Sequence, residues 1–289
     1  MKVAIFSQFQ KKKPLASLEV LVKVLKEHNF KIFIEATFYK HVSKKLNQEF
    51  NTFTDLDSSF DFLISIGGDG TILRAVTLVR DLNIPIVGIN TGRLGFLATI
   101  QQDQIEDAVL AIINKDYQIS ERTLLSIDVN EENKEIQSCN FALNEIAVSR
   151  KNTTSMITVE TELNDEYLTS YWSDGLIIST PTGSTGYSLS CGGPVITPNA
   201  ASLVLTPIAP HNLSARPLVI EDSTVIKLKV DGREKKHLVS LDSRIATLNN
   251  NTLITIKKAP FTIKMMTFHN ETFLDTLRKK LLWGEDKRN

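Results

Sequence analysis

The chain has 289 residues, 42% of them apolar and 23% charged, which excludes a disordered chain, a collagen-like fibre and a coiled-coil rod. At about 150 residues per domain, its length implies two domains. Lys plus Arg and Asp plus Glu both number 33, so the zero net charge offers no bulk attraction to nucleic acid or anionic lipid.

The predicted elements begin with a buried strand over Val3 to Phe6, followed by a helix over Leu15 to His28 whose apolar residues recur at helical spacing. Strands follow at Lys31 to Glu35 and Phe60 to Ile66, then a helix over Thr71 to Leu82 and a strand over Pro85 to Ile89. Alternating strands and helices imply a parallel sheet covered on both faces. After residue 120 the pattern turns to strands: Leu124 to Val129, Phe141 to Val148, Met156 to Thr161, Leu176 to Thr180, Val225 to Val230, His237 to Leu241 and Leu253 to Ile256. Thr272 to Trp283 is helical again. The expected domains are 1–118, an α/β domain; 119–268, a β-rich domain; and 269–289, a helix returning to the first domain.

Ten Lys against four Glu in the first 50 residues suit a phosphate-rich ligand or a solvated face. Cys139 and Cys191 form no CxxC pair, which points to a reducing, cytoplasmic setting. His28, His41, His211, His237 and His269 lack zinc-ligand spacing. The apolar run at the N-terminus is too short for a signal peptide or a membrane span.

Two motifs carry chemistry. Gly67-Gly68-Asp69-Gly70-Thr71 lies between a strand and a helix, where backbone N–H groups and the helix dipole gather an anion. It is neither a Walker A loop nor GxGxxG. Asp69 would repel phosphate unless it accepts a hydroxyl proton or faces a phosphate-bound magnesium ion, and both point to phosphoryl transfer onto an alcohol. The plainer reading is a helix cap. The second motif, Thr180-Pro181-Thr182-Gly183-Ser184-Thr185-Gly186-Tyr187-Ser188-Leu189-Ser190-Cys191-Gly192-Gly193-Pro194, is dense in hydroxyls and glycines suited to ribose and phosphate oxygens. Asn144-Glu145 sits within the expected strand Phe141 to Val148, where adjacent residues face opposite sides and one of the two polar groups is buried. Asp174-Gly175 precedes the strand leading to the second motif.

In this order, together with Asn90-Thr91-Gly92-Arg93-Leu94-Gly95-Phe96-Leu97, these motifs resemble the ATP–NAD kinases along nearly the whole chain. GGDGT is shared with diacylglycerol-kinase-like and phosphofructokinase-like proteins; the long second motif is specific. The resemblance implies a Rossmann-like α/β domain, a C-terminal β-rich domain and a C-terminal helix packing back on the first. It implies transfer of the γ-phosphoryl of ATP to the 2′-hydroxyl of the adenosine ribose of NAD, giving NADP, with magnesium or another divalent cation carried by ATP and none built in. It further implies a cytoplasmic homodimer or homotetramer, with its site between domains and near a neighbouring subunit, without nucleic-acid or membrane partners.

By carry-over, Asp69 is the proton acceptor and Gly70 lies against the dinucleotide. Gly67, Gly68, Gly70 and Thr71 form the phosphate loop, and Arg74 is a phosphate contact. Asn144 and Glu145 hold the adenosine, and Asp174 meets the nicotinamide side. Thr185, Gly186, Tyr187, Ser188, Leu189 and Ser190 wrap the dinucleotide, and Ala209 and Arg244 complete the binding residues. The chain departs from many bacterial members at Gly186, where they have Ala, and at Trp172, where they have Arg. Two other readings stand beside this one: a lipid or sugar kinase sharing the GGDGT loop, and a non-catalytic dinucleotide-binding protein.

Overall fold

The computed structural model describes residues 1–8, 13–46, 48–152, 155–268 and 272–283. Phe9 and Gln10, which follow the first strand in sequence, lie outside the described residues, as do 269–271, with His269, and 284–289 of the expected C-terminal segment.

The elements run β1 Lys2–Phe6, α1 Lys13–Glu27, β2 Lys31–Glu35, α2 Ala36–Val42, β3 Asn51–Phe53, β4 Phe62–Gly67, α3 Asp69–Val79, β5 Ile86–Asn90, α4 Ile105–Asn114 and β6 Gln118–Val129. They continue with α5 Lys134–Ser138, β7 Phe141–Ala142, β8 Glu145–Arg150, β9 Ile157–Leu163, β10 Glu166–Ser173, β11 Gly175–Ser179, α6 Tyr187–Ser190, β12 Ser202–Ile208 and β13 Leu218–Glu221. The last are β14 Ile226–Gly232, β15 Lys236–Leu241, β16 Arg244–Asn249, β17 Leu253–Thr267 and α7 Phe273–Leu281. The chain divides into two compact units, Met1–Glu121 with Ile263–Asn289, and Arg122–Thr262.

The first unit is α/β. Its parallel strands lie in the order β5-β4-β1-β2-β3, with Met265 of β17 pairing in parallel beside Ile86 of β5. This is the doubly wound arrangement, in which ligands sit beyond the carboxyl ends of the strands. β4 is buried at all its positions, so it reads as a continuous apolar run. Leu18, Leu21, Val22 and Leu25 of α1 pack in the same core as Ile105, Val109 and Ile112 of α4. α3 begins at Asp69, two residues before the expected start, and buries Thr71, Ile72, Ala75, Val76 and Val79. It stops three residues early because Arg80 takes a positive φ of 50°. α7 belongs to this unit and buries Thr276 and Leu277.

The second unit is β-rich. One antiparallel sheet has the order β13-β12-β11-β8-β15-β16; in the other, β10-β9-β14 continues to the first part of β17. One core joins them: Ile146, Val148, Leu176 and Ile178 from the first sheet meet Val159, Leu228, Val230 and Ile256 from the second.

The expected strand over Phe141 to Val148 is broken. Phe141–Ala142 pairs with β6 in one sheet, and Glu145–Arg150 pairs with β11 and β15 in the other. Leu143 and Asn144 form the joint, outside both strands. The cause is Asp242, whose carboxylate accepts the backbone N–H groups of Leu143, Asn144 and Glu145 at 3.0, 2.8 and 3.2 Å. A strand whose amides point at a carboxylate cannot also feed them to a ladder.

Candidate active site

In the first unit, β4 delivers Gly67-Gly68 to the start of α3. Gly68 is extended and caps the helix with no side chain, and the Thr71 N–H turns back onto the Gly68 carbonyl at 2.9 Å, so it is the N–H groups of Asp69 and Gly70 that a bound anion would meet. A Cβ on Gly68 or Gly70 would meet nothing within 4 Å, whereas one on Gly67 would lie 2.1 Å from Thr71 Oγ1. The loop is therefore tight against Thr71 and open at Gly68 and Gly70. Arg74 is exposed one turn further along, on the face of Gly70.

Asp69 is the first helical residue, but its side chain does not cap the helix. Oδ2 accepts the N–H of Phe96 at 2.8 Å, and Oδ1 accepts those of Leu97 and Ala98, each at 3.0 Å. The 91–99 loop that supplies these amides is organised from the other side by buried Asn90. Its Nδ2 donates to the carbonyls of Arg93 and Ala98, and its Oδ1 accepts the Gly92 N–H. Three bonds occupy three of the carboxylate's roughly four lone-pair positions, one on Oδ2 and two on Oδ1, and leave one on Oδ2.

In the second unit, the long motif is a folded structure rather than a hydrophilic turn. Thr180 through Ser184 are buried, with a short 3₁₀ turn at Gly183–Thr185 leading into α6. Several of its hydroxyls are bonded within the protein, to the loop itself and to its neighbours. Thr180 Oγ1 donates to the Leu143 carbonyl at 2.6 Å, Ser184 Oγ to that of Pro181 at 2.7 Å, and Ser188 Oγ lies 2.8 Å from Thr206 Oγ1. Gly183 is required: a Cβ there would stand 2.0 Å from the Asn144 carbonyl oxygen. This contact and the Thr180 N–H bond to the Asn144 carbonyl bring the second motif against Asn144-Glu145.

Around that junction, three buried polar atoms have no partner among the described residues: Asn144 Oδ1, Glu145 Oε2 and Thr182 Oγ1. A methyl on Gly186 would lie 3.2 Å from Glu145 Oε2 and 3.6 Å from Asn144 Nδ2, so Gly186 leaves space directly over both side chains. Burial, and then the charge of Asp242, push the Glu145 carboxyl up to about 8. Burial also raises Asp242, against its three N–H donors. A protonated Glu145 is a hydrogen-bond donor, a capacity that carboxylates ordinarily lack. Tyr187 is 44% exposed, and Thr185 Oγ1 donates to the Thr182 carbonyl.

Asp174 and Ala209 meet at one end of the β11–β12 pair, where the Asp174 N–H donates to the Ile208 carbonyl and Ala209 takes a positive φ of 44°. The Asp174 carboxylate pairs with Arg150 at 2.9 Å. Arg244 directs its guanidinium to the carbonyls of Cys139, at 2.7 Å, and Phe141, and so holds the segment entering Asn144. Trp172 is 51% exposed and packs against His211 with ring centroids 4.4 Å apart and planes tilted by 49°, beside a cleft of about 300 Å³ that Arg216 also lines. Sequence reasoning missed Asp242, Arg150 and the Phe96 to Ala98 amides. Asp242-Ser243 between two strand patterns carried a turn signal only. Among the described residues, no group of three or more His, Cys, Asp or Glu side chains could hold a metal, and no helix is long and apolar enough to cross a membrane.

Comparison with known proteins places these motifs in one family. The family models described as the ATP-NAD kinase N-terminal and C-terminal domains match residues 3–117 and 143–268. An NAD kinase of Christiangramia forsetii is 59% identical over 294 aligned positions, and one of Bacteroides fragilis is 41% identical over 292, each match covering 100% of both chains. Among solved structures, an NAD kinase from Archaeoglobus fulgidus in complex with ATP matches with a TM-score of 0.77 at 26% identity, covering 98% of this chain and 99% of that one. Yeast NADH kinase complexed with NADH shares the fold, with a TM-score of 0.87 at 21% identity over 99% of this chain and 88% of the other. The chain belongs to the ATP–NAD kinase family.

Proposed function

We propose that this protein transfers the γ-phosphoryl of ATP to the 2′-hydroxyl of the adenosine ribose of NAD, giving NADP. The observation that carries the reading is the unpartnered set Asn144 Oδ1, Glu145 Oε2 and Thr182 Oγ1, of which Glu145 Oε2, together with Asn144 Nδ2, borders the space left by Gly186. Buried polar atoms without partners call for a ligand that supplies them, and a ribose or adenine edge offers both donors and acceptors. Asn144 and Glu145 hold the adenosine, while Thr185 to Ser190 follow the dinucleotide. Asp174, steadied by Arg150, meets the nicotinamide side near Ala209. Arg244 serves indirectly, by fixing the Cys139–Phe141 segment.

Asp69 accepts the proton of the attacking hydroxyl through its remaining lone pair. Gly67, Gly68, Gly70 and Thr71 cradle phosphate at the start of α3, and Arg74 adds a cation one turn on. Because Asp69 already accepts three amides, it can offer a magnesium ion or its water shell one oxygen position at most, which suits a cation carried by the triphosphate. When bound, that cation neutralises charge on the β- and γ-phosphate oxygens.

Free Cys139 and Cys191 fit a cytoplasmic setting. Exposed Tyr167, Trp172 and Leu213 in the second unit support self-association as a dimer or tetramer, which sedimentation measures directly. The test of the activity is purified protein with NAD, ATP and magnesium, coupled to an NADP-specific dehydrogenase. NADP formation that depends on both substrates supports the reading. Phosphorylation of a lipid or sugar instead, or dinucleotide binding without turnover, overturns it.

A further inference from the structure

We infer that Phe273, on the C-terminal helix α7, is a positioning residue for Asp69, acting through Phe96. The inference rests on the proposed function in taking Asp69 as the group at the reacting hydroxyl. The Asp69 carboxylate is oriented by three main-chain N–H groups, and Oδ2 has its bond from Phe96 N–H. The ring of that same Phe96 packs on Phe273, with centroids 6.2 Å apart and planes tilted by 41°, and the Lys280 ammonium stands 5.7 Å from the Phe96 centroid. α7 is itself seated by buried Thr276 and Leu277.

Beside this contact the loop and helix part. A cleft of about 310 Å³ separates Leu94, Thr99 and Gln101 from Asp275, Thr276 and Lys279. The aromatic pair therefore spans a loosely filled region, and the Asn90 bonds fix the loop at Gly92, Arg93 and Ala98 rather than at Phe96. Removing the Phe273 ring frees Phe96, and with it the amide that holds Oδ2. A loosened Oδ2 lowers the fraction of bound substrate with Asp69 in reach, a cost that falls on turnover rather than binding.

The experiment has two arms on the full-length protein. NMR amide exchange is followed at Phe96, Leu97 and Ala98 in wild type, Phe273→Ala and Phe273→Leu. Phe273→Ala is expected to speed exchange at Phe96 about tenfold, with β4 amides unchanged and Phe273→Leu restoring most of the protection. Unchanged exchange at Phe96, or equal acceleration throughout β1 and β4, overturns the inference. In the second arm, Phe273→Ala is expected to lower kcat about tenfold with both KM values held within about twofold. The double variant with Asp69→Asn should be no slower than Asp69→Asn alone; additive losses, or KM values that rise together, overturn the inference. If wild type forms no NADP, the proposed function fails on its own, and the exchange arm still decides whether Phe273 holds the Asp69 loop.

Discussion

Gly95 lies so close to Asp69 that a Cβ on it would stand 2.0 Å from Oδ1 and 2.6 Å from Cγ. A glycine in the 91–99 loop is thus what lets the carboxylate reach the amides of Phe96, Leu97 and Ala98. Gly95→Ala is expected to displace the carboxylate, lower kcat by about 10²-fold and cost about 1–3 kcal/mol of stability. Steady-state kinetics and thermal unfolding check both halves; a variant with normal turnover would show that Asp69 does not need this seat.

Asp69→Asn keeps the shape, but replaces one accepting oxygen with an NH₂ group that faces backbone N–H donors. Turnover is expected to fall about 10²–10⁴-fold, combining loss of the proton acceptor with loss of loop anchoring. Dinucleotide affinity, measured by calorimetry, should stay within about threefold, since Asp69 acts at the reacting hydroxyl. Near-normal kcat would remove Asp69 from the mechanism.

Asp242 should matter to NAD and not to ATP. Asp242→Ala leaves the N–H groups of Leu143, Asn144 and Glu145 without their acceptor, at about 1–3 kcal/mol for each one that stays buried and unpaired. Asp242→Asn retains one acceptor oxygen and is expected to cost less. In the variants that fold, KM for NAD should rise well above its wild-type value while KM for ATP holds. Equal rises in both would limit Asp242 to the stability of the second unit.

The pH dependence of stability follows from Glu145. Its folded value of about 8 lies above the ordinary 4.5, so between those values the folded state holds a proton that the unfolded chain has released. Stability from this group is therefore complete below about pH 4.5 and is lost as pH rises through about 8. Glu145→Gln removes that slope, so thermal unfolding of the variant should be flatter between these limits and higher than wild type at the alkaline end. Identical slopes for both proteins would show that Glu145 is charged in the free fold.

Trp172→Arg tests the departure at that position. Trp172 is half exposed and tilted against His211, not packed in the core, and an indole face attracts the positive ring of oxidised nicotinamide. NAD is expected to be preferred over NADH, and the ratio of their kcat/KM values should shift in the variant. An unchanged ratio would place Trp172 away from the dinucleotide.

Local pattern was enough for the first unit's early elements. β1, α1, β2, β4, α3 and β5 follow from apolar periodicity and glycine punctuation, with ends shifted by two or three residues where a cap such as positive-φ Arg80 intervenes. The glycine loop and the hydroxyl-rich motif were legible too, because their chemistry is written in contiguous residues. The break between Phe141–Ala142 and Glu145–Arg150 was not, because its cause is a carboxylate 98 residues further along, at Asp242. Nor did Asp69 display its loop partners, which begin 27 residues away in sequence. Periodicity reports which face of a segment is apolar, and so determines where a strand or helix forms. Which distant carboxylate claims a backbone amide, and which buried oxygen is left for a ligand, depend on how the whole chain closes, and only the tertiary structure decides them.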